Sequence, residues 1–239
     1  DQDQEDEDAP ITIPTVEADA DARLDLAKDR DRELSAQEVY RKVSGAVVTV
    51  AVDLDGGRMS VGTGVIFRED GYILTNHHVV AGGKSCTVLL SGGRPYAAKY
   101  IASDAGYDLA VLKIDAKDLP AVTLGSSTDV NVGDTVMAIG NPLGLGLAIS
   151  SGIIGSTAHE LDRYALPCIV NSADISRGSS GGALMNAHGQ VIGVTSGAYT
   201  YGNNMYLAVP VDPVMAADLT VSGWTLKEVK AIEAAKDKD

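Results

Sequence analysis

Long hydrophobic runs are missing from this sequence, and no apolar stretch approaches the ~20 residues that a membrane-spanning helix needs. Basic residues are scarce: 19 Lys and Arg stand against 33 Asp and Glu, and the net charge of −14 argues against nucleic-acid binding. The two cysteines, Cys86 and Cys168, have neither CxxC nor Cys–His spacing, which argues against a metal site or thiol catalysis. The sequence therefore predicts no membrane segment, no nucleic-acid partner, no metal and no cofactor.

The negative charge is concentrated at the start of the chain. Residues 1–33 hold 13 acidic and 4 basic residues, a composition typical of a solvated, disordered segment. We expect residues 1–34 to be an acidic tail, because a calcium site, the other option for such a run, lacks ligand spacing here. The chain also has no initiator Met and no signal-peptide pattern, so we expect it to be a trimmed form of a longer protein whose upstream anchor could have been removed.

Short β-branched runs, separated by Gly, Asn or Asp clusters, dominate the middle of the chain. This pattern predicts an all-β barrel or sandwich. The runs occupy 46–52, 64–67, 110–114, 136–139 and 191–194. Two capping boxes add helices at the ends, one from Ser35 to about Val43 and one opening at Thr225.

A glycine-dense turn at residues 178–182, Gly-Ser-Ser-Gly-Gly, is followed at once by an apolar strand. Glycines allow unusual backbone angles and let a substrate carbonyl approach main-chain N–H groups, as a nucleophilic serine requires. Alone, the turn is equally typical of a flexible loop.

Upstream segments supply the partners that such a serine needs. The first is Thr75-Asn76-His77-His78-Val79 and the second, at residues 108–112, is Asp-Leu-Ala-Val-Leu. The order His, Asp, Ser is that of chymotrypsin-like enzymes and differs from the order in subtilisins and α/β-hydrolases.

Together these motifs resemble the HtrA/Deg family of trypsin-fold serine proteases. Residues 138–145 (Ala-Ile-Gly-Asn-Pro-Leu-Gly-Leu) and 208–210 (Ala-Val-Pro) resemble two further signatures, so the likeness runs from about Val43 to Pro213. The resemblance implies two six-stranded antiparallel β-barrels, at about 44–124 and 125–212, within a protease domain at 35–217. Residues 218–239 would be a helical extension, too short for the PDZ domain that most HtrA proteins carry next.

The resemblance implies that Ser180 is the nucleophile, His78 the general base and Asp108 the carboxylate that orients it. The neighbours His77, Ser179 and Asp104 are the competitors for these roles. The oxyanion hole would be formed by the backbone of Gly178, Ser179 and Ser180.

Substrate would pair with the strand edge at Thr195, Ser196 and Gly197. Asp174, six residues before Ser180, would lie at the base of the primary specificity pocket, and Tyr206 on its wall. An unpaired buried carboxylate is costly, so Asp174 favours a polar or basic substrate residue. That holds unless an internal donor, from Arg177 or Tyr206, already satisfies it.

The function implied is that of a serine endopeptidase acting on unfolded or flexible proteins, in quality control or a stress response. A catalytically silent, peptide-binding scaffold is the alternative. A homotrimer and an extracytoplasmic location follow from the family alone. In the family's layout the two cysteines fall in different barrels, which favours two buried thiols over a disulfide.

Overall fold

Two closed β-barrels, each of six antiparallel strands, make up most of the described chain. The structure is a computed structural model, and it describes residues 11–16, 32–141, 146–176, 178–198 and 204–213. The expectation of an all-β, two-barrel fold is confirmed. The predicted C-terminal helix lies outside the described residues.

The first barrel has the strand order β1-β2-β3-β6-β5-β4. Its strands are β1 (Val47–Asp53), β2 (Met59–Arg68), β3 (Tyr72–Thr75), β4 (Ser85–Leu89), β5 (Pro95–Asp104) and β6 (Leu109–Ile114). The second barrel has the order β10-β11-β12-β9-β8-β7. Its strands are β7 (Thr135–Gly140), β8 (Ala148–His159), β9 (Cys168–Asn171), β10 (Ala183–Asn186), β11 (Val191–Ala198) and β12 (Tyr206–Pro210).

Helix α1 (Ala36–Val43) begins at the predicted capping box. The Ser35 hydroxyl accepts from the Glu38 N–H at 3.3 Å, and the Glu38 carboxylate accepts from the Ser35 N–H at 2.9 Å. These reciprocal bonds satisfy N–H groups that have no partner within the helix. Val39 and Val43 are buried, so the helix packs its apolar side on the barrels. A second, one-turn helix, α2 (His77–Val80), follows β3.

Both cysteines are buried free thiols, as expected, Cys86 on β4 and Cys168 on β9. Burial, and after it the charge of Asp53, raises the pKa of Cys86 to about 12. Among the described residues no helix combines the length and the apolar character that crossing a bilayer demands.

Within the expected tail, residues 11–16 lie against the first barrel, and here the structure differs from the expectation. Ile13 is 2% exposed. The Thr12 N–H donates to the Gly83 carbonyl at 2.7 Å, and the Tyr100 N–H donates to the Pro14 carbonyl at 3.0 Å. The charge of the segment predicts a tail, but it does not show that the barrel has an apolar site for one isoleucine, Ile13.

Ile13→Ala should therefore lower the free energy of unfolding by about 2 kcal/mol, because it removes buried methyl groups and leaves a cavity. For a chain of this size that is a drop in Tm of roughly 4–8 °C. The matched control is Thr15→Ala, since Thr15 is exposed and its bridge to Tyr100 uses only the backbone. Equal melting temperatures for the two variants would contradict the packing of Ile13.

Candidate active site

His78 lies in helix α2, directly after the buried strand β3. Val79 and Val80 are buried, which fixes the turn against the first barrel. The side chain of His78 remains 24% exposed. The neighbouring His77 turns elsewhere, since its Nδ1 lies 2.8 Å from the Ser103 hydroxyl.

Asp108 lies in the tight turn before β6 and is 4% exposed. Its backbone has a φ of 50°, which is uncommon for a residue other than glycine. The Asn76 side chain donates to the Asp108 carbonyl at 2.8 Å and so links the turn to the residue before α2. Asp104, the competing carboxylate, accepts from the Tyr107 N–H at 3.0 Å and so shapes the same turn.

The carboxylate of Asp108 is surrounded by donors. Its Oδ1 accepts from the His78 backbone N–H at 3.0 Å, and both oxygens lie 2.9 Å from His78 Nδ1. Oδ2 also accepts from the Ser196 hydroxyl at 2.6 Å. Burial by itself would raise the pKa of Asp108, but the His78 ring and the hydrogen bonds from His78 and Ser196 hold that pKa below its ordinary value. Asp108 is therefore ionised at neutral pH.

Ser180 lies in the turn before β10, between the two barrels. Its hydroxyl donates to the Ser196 carbonyl at 3.1 Å. Its own carbonyl accepts from the Thr63 N–H on β2 at 2.7 Å. Ser196 thus contacts Ser180 through its carbonyl and Asp108 through its hydroxyl, which brings the three predicted residues His78, Asp108 and Ser180 into one cluster.

The turn around Ser180 is held from both barrels. Thr63 Oγ1 of the first barrel donates to the Gly178 carbonyl at 2.7 Å. On the second barrel, Thr195 Oγ1 donates to the Ser179 carbonyl at 2.7 Å, and the Thr195 carbonyl accepts from the Gly181 N–H at 2.8 Å. These bonds fix the backbone on both sides of the Ser180 hydroxyl.

Two of the residues predicted to face substrate donate their backbone N–H groups to carbonyls within the domain. The Ser179 N–H donates to the Ser176 carbonyl at 2.9 Å. The Thr195 N–H donates to the Gly182 carbonyl at 2.9 Å. Within β11 the register shifts between Thr195 and Gly197, so Ser196 occupies an irregular position in the strand.

Known proteins are similar to this chain in both sequence and fold. A family profile described as a trypsin-like peptidase domain matches residues 62–194, more than half of the chain. The chain belongs to the trypsin-like peptidases, as an HtrA-type protease domain. A probable periplasmic serine endoprotease, DegP-like, from Halomonas elongata is 43% identical over 162 residues, which is 66% of this chain and 34% of that protein. The chain thus spans about a third of the length of that relative.

Solved structures of HtrA-type proteases agree. One, HtrA-type protease AlgW with tripeptide, is 36% identical with a TM-score of 0.69 and covers 75% of this chain and 60% of its own. Another, HtrA-type protease AlgW with decapeptide, is 30% identical with a TM-score of 0.67, over 84% of this chain and 68% of its own.

In this HtrA-type domain, Asp174 lines a cavity of about 190 Å³ that also contacts Ser179. The Asp174 carbonyl accepts from the Ser150 hydroxyl at 2.6 Å. The Asp174 carboxylate is exposed and accepts a hydrogen bond from the Tyr206 hydroxyl, which raises the pKa of Tyr206. Of the two internal donors considered, Tyr206 is thus engaged, and Arg177 lies outside the described residues.

The side-chain roles of Thr63 and Ser196 were not predicted from the sequence. Thr63 contacts a residue 115 positions away, and Ser196 contacts one 88 positions away. No local pattern marks such contacts, because they exist only once the two barrels have packed together.

Proposed function

We propose that this domain is a serine endopeptidase that hydrolyses peptide bonds in unfolded or flexible proteins. The observation that carries the proposal is the buried, ionised Asp108 at 2.9 Å from His78 Nδ1, in one cluster with Ser180. Support comes also from the relatives named serine endoproteases and from the similar proteins whose structures hold peptides.

The chemistry begins with the tautomer of His78. An ionised carboxylate can only accept, so the proton of the neutral ring is on Nδ1 and Nε2 is free to act as a base. The Ser180 hydroxyl turns from the Ser196 carbonyl to Nε2, gives up its proton and attacks the scissile carbonyl. Asp108 stabilises the imidazolium that forms, and His78 then protonates the leaving amine to leave an acyl-enzyme that water hydrolyses.

We assign the oxyanion hole to the backbone N–H groups of Gly178 and Ser180. Ser179, whose N–H already donates to Ser176, acts as a spacer between them. Oriented N–H donors stabilise the tetrahedral intermediate, and each typically contributes ~2.7–4 kcal/mol of transition-state stabilisation. The φ of 87° at Gly178 is one that a glycine accommodates without strain.

The Tyr206–Asp174 hydrogen bond bears on the choice of substrate. Asp174 is exposed and so does not bear the cost of an unpaired buried carboxylate, and the Tyr206 hydroxyl already donates to it. It therefore needs no cation from the substrate. We therefore infer a small or broad preference at P1, the residue before the cleaved bond, in place of a basic one.

On this basis, cleavage-site profiling of a denatured protein should return mainly Val, Ala or Leu at P1, and Asp174→Ala should leave that profile unchanged. Tyr206→Phe is the second variant to compare, because it removes only the hydroxyl that donates to the Asp174 carboxylate. We expect it to raise cleavage after Lys or Arg about tenfold relative to cleavage after Val. Dominant basic P1 residues in the wild-type protein, lost in Asp174→Ala, would overturn this inference.

The periplasmic naming of the relatives supports an extracytoplasmic site of action. A role in protein quality control or a stress response has only the family resemblance behind it. We also propose a homotrimer on the basis of the family resemblance. A measurement of the mass of the protein in solution tests this proposal directly.

A fluorophosphonate probe, together with casein, tests the proposed function. The wild-type protein should cleave casein and carry the label on Ser180. Peptide binding without any label on Ser180 would identify the silent scaffold instead.

A further inference from the structure

Tyr164 continues the hydrogen-bonded cluster beyond Ser196. Its hydroxyl lies 2.7 Å from Ser196 Oγ, and the Ser196 hydroxyl donates to Asp108 Oδ2 at 2.6 Å. Four side chains from both barrels therefore form one line, from Tyr164 through Ser196 and Asp108 to His78.

The direction of this line follows from counting protons. Ser196 has a single hydroxyl proton, and it donates that proton in a hydrogen bond to the carboxylate of Asp108, which can only accept. Tyr164 must therefore be the donor to Ser196 Oγ. Burial, and after it the Asp108 charge, raises the pKa of Tyr164 to about 12, so the phenol keeps its donor proton at neutral pH.

The loop at residues 160–167, which carries Tyr164, is tied to the turn that carries Asp108. The Ala165 N–H donates to the Gly106 carbonyl at 2.7 Å. This bond joins the second barrel to the first, next to Asp108. The backbone bond of Ala165 thus fixes the position of Tyr164 relative to Ser196.

We propose that Tyr164 is a positioning residue for the catalytic carboxylate, acting through Ser196. By donating to Ser196 Oγ it holds that hydroxyl in the one rotamer that points its proton at Asp108. Hydrogen bonds in such a chain also polarise one another, so Ser196 becomes the stronger donor. The inference rests on the proposed peptidase function, because it concerns the same Asp108–His78 pair.

Two effects on the reaction follow. When the Ser196 hydroxyl is held on Oδ2, the Asp108 carboxylate stays aligned with the His78 ring. This alignment raises kcat. The hydrogen bond from Ser196 also partly neutralises the negative charge of Asp108 that faces the imidazolium. Loss of this hydrogen bond therefore raises the pKa of His78. The other ionisable groups acting on Tyr164 are Arg163 and Cys168, and burial raises the pKa of Cys168 to about 12.

Tyr164→Phe removes only the hydroxyl and tests the proposal. With a peptide substrate we expect kcat to fall about fivefold at constant KM. The acidic limb of the kcat/KM profile should move upward by about 0.3 pH unit. The matched control is Tyr100→Phe, since the Tyr100 hydroxyl also lies on a serine, Ser103 at 3.0 Å, but that serine contacts His77. It should leave both quantities at wild-type values.

A double-mutant cycle separates positioning from a general structural role. Because Tyr164 acts through Ser196, adding Tyr164→Phe to Ser196→Ala should cause no further loss of kcat. Additive losses, or a fall in kcat with an unchanged pH profile, would overturn the proposal while leaving the peptidase function intact. A wild-type protein that neither cleaves casein nor takes the fluorophosphonate label would overturn both.

Discussion

Ser180→Ala is expected to abolish casein cleavage, with a loss in kcat of at least ~10³-fold. The variant loses the oxygen atom that forms the acyl-enzyme in the proposed mechanism. Its fold should persist, because the backbone bonds of the turn remain and only the hydroxyl's bond to the Ser196 carbonyl is lost. The Thr63 N–H still donates to the carbonyl of residue 180 at 2.7 Å. The measurement is the steady-state cleavage rate beside a melting curve.

Ser179→Ala is the matched control, an identical chemical change one residue away. Ser179 contributes its backbone to the turn, where Thr195 Oγ1 donates to its carbonyl, and alanine keeps that bond. Most of the activity should remain. Substantial turnover by Ser180→Ala, or equal losses in the two variants, would refute the choice of Ser180 as nucleophile.

Gly181→Ala should have the second largest effect, a loss of at least ~100-fold in kcat/KM together with ~3 kcal/mol of stability. Gly181 has a φ of +88°, and a Cβ added there would lie 1.9 Å from the Thr63 carbonyl oxygen and 2.3 Å from Thr75 Oγ1. Neither atom can yield easily, because Thr75 Oγ1 donates to that same carbonyl at 2.7 Å. The turn must therefore shift, and the Ser180 hydroxyl shifts with it.

Gly155→Ala is the control for this glycine. Gly155 lies in strand β8, and its added Cβ would meet Val170 only at ordinary distances of 3.6 and 3.8 Å. We expect wild-type kcat/KM and a change in stability below about 1 kcal/mol. Wild-type activity in Gly181→Ala would show that the Ser180 turn tolerates a side chain.

Local patterns in the chain were enough for the elements and for part of the site. The capping box at Ser35 predicted where α1 begins, because its two hydrogen bonds join residues only three apart. Short apolar runs predicted strands, because the alternation of apolar and polar residues and the presence of β-branched side chains can be recognised within a few residues. The motifs around His78, Asp108 and Ser180 likewise carry their information within a few neighbours each.

Charge averaged over a segment was a poorer guide. The acidic composition of residues 1–34 predicted a tail, yet Ile13 is buried and residues 11–16 lie along the first barrel. One side chain that finds an apolar site can order a short segment around it, and composition does not show whether such a site exists.

By itself, then, the sequence determined the all-β class, the start of α1, the family and the three residues proposed for catalysis, since each depends on neighbours close in the chain. The tertiary structure alone decided what surrounds them. It placed Ser196 against Asp108 across 88 residues and Thr63 against Gly178 across 115. It also paired Tyr206 with Asp174 and Tyr164 with Ser196. These contacts arise from the packing of two barrels, and a hydroxyl has no hydrogen-bond partner until that packing brings one within reach.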